Sequence, residues 1–430
     1  MFRSLAGFNY RIWFAGALVS NIGTWMQRTA QDWIVLTELT DNDAVAVGIV
    51  MALQLGPQLL LVPWSGLIAD RFDRRKLLMG TQVVMALLGL GLGVIVLLGV
   101  AELWHVYAFA LALGVVSAID APARQAFVSE LVSEKNLPNA VSLNSASFNG
   151  ARLVGPAAAG ILTVVVGAGW VFIINALTFV ATLVAMMLLR RDELRTAPRA
   201  PRGPGQLRAG ISYVKRRADL LVVFAIVFLV GTFGLNFPIF AATMAKVEFN
   251  HGAGEFGLLS SMIAIGSVTG ALLAARRERP RLRIVFVSAG AFGLSCFVAA
   301  AMPTYESFAI ALVLVGFTSI TLLTTANGTV QTTTKPIMRG RVMALYLAIF
   351  LGGTPIGAPV IGWVANEFGP RFAIVVGGTS GIIAGLIGLV WMIVSHKLRL
   401  RRRGYRLRLV HDRSTRELDL ATDESIARRA

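Results

Sequence analysis

Asp70-Arg-Phe-Asp-Arg-Arg-Lys76 runs straight into Leu77-Leu-Met-Gly-Thr-Gln-Val-Val-Met-Ala-Leu-Leu-Gly-Leu-Gly-Leu-Gly-Val-Ile-Val-Leu-Leu-Gly-Val100. Six of the first seven residues are charged, and none of the following 24 is. A bilayer core about 30 Å thick takes about 20 mainly apolar residues of helix. Residues 77–100 therefore read as a membrane crossing entered from a charged loop. The alternation extends both ways along the chain. Twelve such spans fall at 10–36, 44–69, 77–100, 104–127, 139–166, 168–189, 220–244, 255–275, 284–302, 307–329, 340–364 and 371–395. An even number of crossings puts both ends on one side. The fold class is an all-α membrane protein.

Composition agrees. The 430 residues are 56% hydrophobic and 15% charged, with a mean hydropathy of +0.69, unlike a soluble globular protein. The formal charge of +17 is distributed in a way that argues for lipid, not nucleic acid. Of 40 lysines and arginines, 36 lie before the first span, after the last, or at the edges of alternate gaps. Lys246 and Arg371 fall in the other set of gaps; Arg28 and Arg152 lie within spans. Loops rich in Lys and Arg stay cytoplasmic, so both termini are expected in the cytoplasm of a plasma-membrane protein. Basic loops such as Arg276–Arg283 also suit anionic headgroups of the bilayer. The one cysteine, Cys296, permits no intrachain disulfide.

The stretch 190–219 carries three prolines and nine lysines or arginines, and reads as a cytoplasmic linker. Leu207, Ile211 and Val214 are spaced for a short amphipathic helix on the membrane surface. The linker separates a six-helix half at 1–189 from another at 220–395. Residues 396–430 form a basic tail without an apolar period, expected to be partly disordered. The halves echo one another at an offset of about 200 residues. Gly155-Pro156 and Gly160 in span 5 answer Gly357, Pro359 and Gly362 in span 11, and Gly169-Trp-Val-Phe172 answers Gly369-Pro-Arg-Phe372. Two related six-helix halves with a midplane site between them are a transporter architecture. Chance likeness among glycine-rich helices is the other reading.

Gly66-Leu-Ile-Ala-Asp70-Arg71-Phe-Asp73-Arg74-Arg75-Lys76 resembles the loop signature of the major facilitator superfamily, with Asp73 where a second glycine is usual. Pro122-Ala-Arg124, Asn144-Ser-Ala-Ser-Phe-Asn149, Arg152-Leu-Val-Gly155-Pro156, Gly234-Leu-Asn236-Phe-Pro238 and Arg339-Gly-Arg341-Val342 are similar to the transmembrane secretion effector group, the branch that includes enterobactin, macrolide and multidrug exporters. The resemblance runs from about Phe8 to Val394. It implies two pseudo-symmetric halves and alternating access. It also implies a gate at Gly66, Asp70, Arg71, Arg74 and Arg75. There Asp70 would face the start of span 11, and the arginines would pair with acids at the end of span 4. A plain positive-inside turn is the simpler account of the same residues.

Asn21, Thr24, Arg28 and Asp32 line one face of span 1. A charge at mid-bilayer costs about 2.5–3.5 kcal/mol on insertion scales, so such residues face a partner or a cavity. Arg28 and Asp32, one turn apart, have ion-pair spacing. Poorly solvated surroundings favour a neutral carboxyl and a nearby guanidinium favours an ionised one. Asp32 thus reads either as a proton carrier switched by Arg28 or as half of a fixed structural pair. Asp120 and Arg124 flank Pro122 in span 4, as a second protonatable site or as part of a network with Arg74 or Arg75. Arg152 precedes Gly155-Pro156. It reads as a partner of Asp32 or Asp120, as an anion-binding group, or as packing alone. Gly155, Pro156, Gly160, Gly357 and Pro359 suit close, bent helix packing.

In the second half no acid lies deep in a span, so titratable chemistry is expected in the first half only. Asn21, Trp25, Phe233, Asn236, Phe237, Thr324 and Asn327 are candidate cargo contacts, since aromatics and amides suit a large, partly apolar molecule. Hydroxyls bonded back to their own helix are the alternative. No P-loop, H-E-x-x-H or nucleophile elbow occurs, and the four histidines are scattered. No metal, cofactor or enzymatic reaction is expected. The expectation is a monomeric, proton-coupled exporter of a small amphipathic molecule: a siderophore, drug or secondary metabolite. An importer, a lysophospholipid flippase and a non-transporting sensor or scaffold are the alternatives.

Overall fold

The computed structural model describes residues 3–61, 64, 72–195, 206–275, 281–395, 398–403 and 406–411. Six long helices precede the linker: α1 Phe8–Thr37, α2 Ala44–Leu60, α3 Arg74–Leu97, α4 Leu103–Leu131, α5 Leu137–Val166 and α6 Ala168–Met187. The linker holds α7 Gln206–Lys215. Six more come after it: α8 Ala218–Glu248, α9 Ala253–Ala275, α10 Leu282–Ala301, α11 Tyr305–Thr333, α12 Pro336–Phe368 and α13 Pro370–Ser395. Among the described residues ten helices are long and apolar enough to cross a membrane, and α2 is a shorter apolar one. α1 is 30 residues long but carries the polar face described above. Val165, Val287 and Val394 are each more than 70% exposed. Apolar side chains that bare belong against lipid.

Several helices overshoot their apolar stretch. α4 continues to Leu131, and α12 begins at Pro336 with proline in its first turn, where the missing N–H has no partner to lose. The expected span 2 is helical to Leu60; most of its remainder, to residue 69, lies outside the described residues. Span 7 is not one regular rod. It changes to π-helix at Val230–Gly234, breaks at Leu235 and Asn236, resumes at Phe237, and ends in a second π turn at Met244–Glu248. Pro238 in the new first turn supplies no N–H to the helix before it.

Glycines set the contacts between the halves. A methyl group on Gly48 of α2 would lie 2.5 Å from the Ala358 carbonyl oxygen of α12, and 2.8 Å from Pro359 Cα. Gly362 seats directly on the Ala44 carbonyl. On the other flank, a methyl on Gly160 of α5 would meet Ala253 O of α9 at 2.7 Å, and Gly257 seats on Pro156 O. Without lipid-excluding hydrophobicity to drive them together, membrane helices associate where small residues let backbones approach. Gly155 and Gly357 work within their own halves, against Trp25 and against the Thr232 carbonyl.

The halves meet firmly on the side away from the termini. Ala44 N donates to Asn366 Oδ1 (2.9 Å), and Asn366 Nδ2 donates to Asp43 Oδ1 (2.6 Å). Trp33 stacks on Phe256 with centroids 5.7 Å apart. On the terminus-bearing side, among the described residues, no hydrogen bond or ion pair joins α4 to α11. Their ends are tied within their own halves: Arg74 pairs with Glu130, and Arg217 Nη1 donates to Thr333 O. α7 packs on the start of α12, with Gly210 against Arg341 and Leu345.

Part of the tail is described, as a hairpin. Leu398–Arg403 and Arg406–His411 pair as antiparallel strands β1 and β2, with Arg403 opposite Arg406. Leu398-Arg-Leu400-Arg and Arg406-Leu-Arg-Leu409 alternate, and a period of two suits a strand.

Candidate functional site

The polar face of α1 borders a partly open strip between helices. Asn21, Thr24, Trp25 and Arg28 are half-buried, whereas Ser20, Gly23, Gln27 and Ala30 on the other faces are buried. α5 supplies the facing wall, brought close because Gly155 leaves room: a methyl there would lie 2.5 Å from Trp25 Cβ. Asn21 Nδ2 donates to Ser147 Oγ (3.3 Å). Phe148 meets the Trp25 ring edge-on at 5.8 Å. Arg152, one turn beyond Phe148, sets its guanidinium 5.6 Å from the Trp25 ring, and Arg28 approaches the same ring at 5.3 Å.

Arg28 and Asp32 do not form the close ion pair that their spacing suggested. Long side chains on a helix lean toward the N-terminal turn, which carries Arg28 back to Trp25 and away from Asp32. Arg28 Nε is buried with no hydrogen-bond partner. Arg152 likewise has no ion pair or hydrogen bond among the described residues. A cation over an indole gains about 0.5–2 kcal/mol, against a cost of about 2.5–3.5 kcal/mol for each charge at mid-bilayer. One ring cannot offset two arginines. Asp32 is 5% exposed and makes no side-chain hydrogen bond or ion pair among the described residues. Nearby in sequence, the amide nitrogen of Gln31 is also buried and unpartnered, as is that of Gln54 on α2.

Asp120 is the opposite case. Its Oδ1 accepts from Thr81 Oγ1 (2.6 Å) and Gln82 Nε2 (2.9 Å), and its Oδ2 pairs with Arg124 (2.9 Å). Its network runs to α3 hydroxyl and amide groups, not to Arg74 or Arg75. Of the gate residues, Gly66, Asp70 and Arg71 lie outside the described residues. Arg74 Nη1 pairs with Glu130 at the end of α4 (2.7 Å). Arg75 Nε instead donates to the Met186 carbonyl of α6 (2.9 Å). That acceptor stands at the end of a helix, where carbonyls lack intrahelical partners.

The second half places fewer of its expected contacts on the strip. Asn236 is fully buried and donates to Thr232 O of its own helix (2.8 Å). Phe237 packs edge-on to Phe240 and Phe292. Thr324 bonds back to Ile320 O, and Asn327 accepts from Gln331 Nε2. Phe233 is half-buried against the same core. Sequence reasoning passed over Phe148 and Ser147 as site residues. Their signal was the spacing Phe148–Arg152, which puts both on one helix face. No cluster of metal-ligating side chains occurs among the described residues.

Against known proteins, the model of the transmembrane secretion effector family matches residues 3–403. The chain belongs to that family. It is a major facilitator transporter, not an enzyme. This family member is 26% identical over 401 residues to the staphyloferrin A transporter of Staphylococcus aureus, covering 91% of this chain and 97% of that relative. It is 25% identical over 361 residues to the enterobactin exporter of Salmonella typhimurium, covering 83% and 86%. Among solved structures, a peptide transporter superposes with a TM-score of 0.73 at 12% identity, over 90% of this chain and 94% of that one. A D-xylose-proton symporter superposes at 0.68 and 13% identity, over 88% and 96%. These two speak to the fold alone.

Proposed function

We propose that this transporter is a proton-coupled exporter of a small amphipathic molecule of the siderophore, drug or secondary-metabolite kind. It works as a monomer in the plasma membrane with both termini in the cytoplasm. The halves at 1–189 and 220–395, joined by the linker 190–219, rock against each other, and the strip between α1 and α5 of the first half meets the cargo. Asp70, Arg71, Arg74 and Arg75 close the cytoplasmic side in the alternate state.

The observation that carries the reading is the contrast between two buried carboxylates. Asp120 is held by three neighbours, Thr81, Gln82 and Arg124. Asp32 has no bonded partner among the described residues and sits one turn from the strip, so helix movement alters its surroundings. The one-sided distribution of lysine and arginine supports the orientation. The relatives named above support the cargo class and the outward direction.

The test compares culture supernatants by mass spectrometry from cells lacking the protein and cells restored with wild type or Asp32→Asn. The expected result is a small molecule that returns to the medium with wild type and not with Asp32→Asn, at equal membrane levels. Full restoration by Asp32→Asn overturns the proton-carrier role. Supernatants that never differ overturn export.

A further inference from the structure

We propose that Arg28 and Arg152 form an anion-binding subsite on Trp25, and that the cargo carries a carboxylate or comparable anionic group beside a flat apolar portion. This rests on the transport reading above and names the chemistry its site selects.

The argument begins with how other cations of the chain are treated. Arg124 is paired with Asp120, Arg74 with Glu130, Arg217 with Asp219 and Arg371 with Glu248. Arg28 and Arg152 differ. Both lie inside spans, both face one indole ring, and neither has a carboxylate within salt-bridge distance among the described residues. Arg28 Nε is buried with no acceptor at all. A buried guanidinium nitrogen without an acceptor, with a second unpaired guanidinium beside the same ring, calls for an acceptor that arrives from outside.

Charge and shape then narrow the ligand. Two guanidiniums and one carboxylate, Asp32, leave the strip one positive charge in excess when Asp32 is ionised. A monoanion neutralises it. The planar fork of arginine matches a carboxylate or phosphate bidentately. Beside the two forks stand the Trp25 ring and the half-exposed Phe148, a surface for a ring or other flat apolar group. Asn21 and Ser147, already hydrogen-bonded to each other, add a polar edge one turn toward the termini. A cationic cargo would meet the wrong sign here, which separates this site from one built to expel basic drugs.

The probe is benzoate at pH 7, set against benzamide and benzylamine, which keep the ring and change the charge. Binding to the purified full chain is read by equilibrium dialysis and by thermal shift. Expected is benzoate binding at least tenfold tighter than either analogue, weakened at least tenfold by Arg28→Gln and by Arg152→Gln, and partly kept by Arg152→Lys. Equal binding of benzoate and benzamide overturns the proposal. So does benzoate binding that both glutamine variants retain within twofold. Should those variants fail to fold, the three-ligand series on the wild type decides alone. An anionic lipid is the other source of such a group. If phosphatidylglycerol in nanodiscs raises the melting temperature through Arg28 and Arg152 while benzoate does not bind, the arginines serve lipid and the cargo assignment falls. Failure of benzoate to bind while Asp32→Asn still abolishes export removes this subsite and leaves the transport reading standing.

Discussion

Replacing Asn366 with alanine removes a cross-half clasp without touching the strip. Asn366 accepts from Ala44 N at 2.9 Å and donates to Asp43 Oδ1 at 2.6 Å, so one side chain ties the end of α12 to the start of α2. Asp43 is a poorer target, because it also caps α2 by accepting from Val45 N (2.8 Å). A net hydrogen bond is worth about 0.5–1.5 kcal/mol. One bond of the clasp is exposed and the other part-buried, so the two together contribute about 1–2 kcal/mol. At about 1.4 kcal/mol per factor of ten, the alanine variant shifts the balance toward the state open on this side by roughly 5- to 30-fold. Spin labels on Asp41→Cys and Glu367→Cys, both exposed positions in the same loops, report the separation by pulsed electron resonance. Cys296 is fully buried and stays unlabelled. Asn366→Ala is expected to broaden the distances toward a longer population, with Asn366→Asp doing so further because it sets a second carboxylate beside Asp43. An unchanged distribution in both variants would refute the clasp.

Three further outcomes are expected. Gly160→Leu forces a side chain into a gap where even a methyl meets Ala253 O at 2.7 Å; overpacking costs about 1–3 kcal/mol, read as a melting temperature several degrees lower in detergent. Arg74→Gln leaves Glu130, 19% exposed, without that ion pair, and breaking such a pair costs up to about 3–5 kcal/mol when buried. The double variant Arg74→Gln/Glu130→Gln is expected to melt above Arg74→Gln alone, and a strictly additive cycle would show the pair uncoupled. Arg217 is held above the usual arginine range by its hydrogen bonds to Asp219, and it also reaches Tyr213 and Thr333. Arg217→Gln should free α7 and speed trypsin cleavage of the linker several-fold at unchanged melting temperature; equal cleavage rates would show α7 held by other contacts.

Much of the architecture was legible because lipid imposes a crude rule. Each crossing needs a long uncharged stretch with its backbone bonded internally, and twelve such stretches can be counted by eye. The small-residue positions Gly160 and Pro359 could be named as packing points for the same reason. Which helix each would meet could not. The break in span 7 illustrates the limit: Asn236 and Pro238 mark it, but not that the π turn before it lies against α12, where Gly357 seats on the Thr232 carbonyl.

The site divides along the same line. Spacing of four placed Arg28 and Asp32 on one face, and Asp120 and Arg124 on another, and in the second case the pair forms. In the first it does not, because the direction of a long side chain is decided by what stands over the preceding turn. That neighbour is Trp25, backed by Phe148 and Arg152 from a helix more than a hundred residues away in sequence. The order of residues by itself determined the helical spans, the uneven spread of charge among the gaps and the family. The tertiary structure alone decided which buried charges found partners, since a helix face exists locally but its opposite wall is chosen only when distant helices pack.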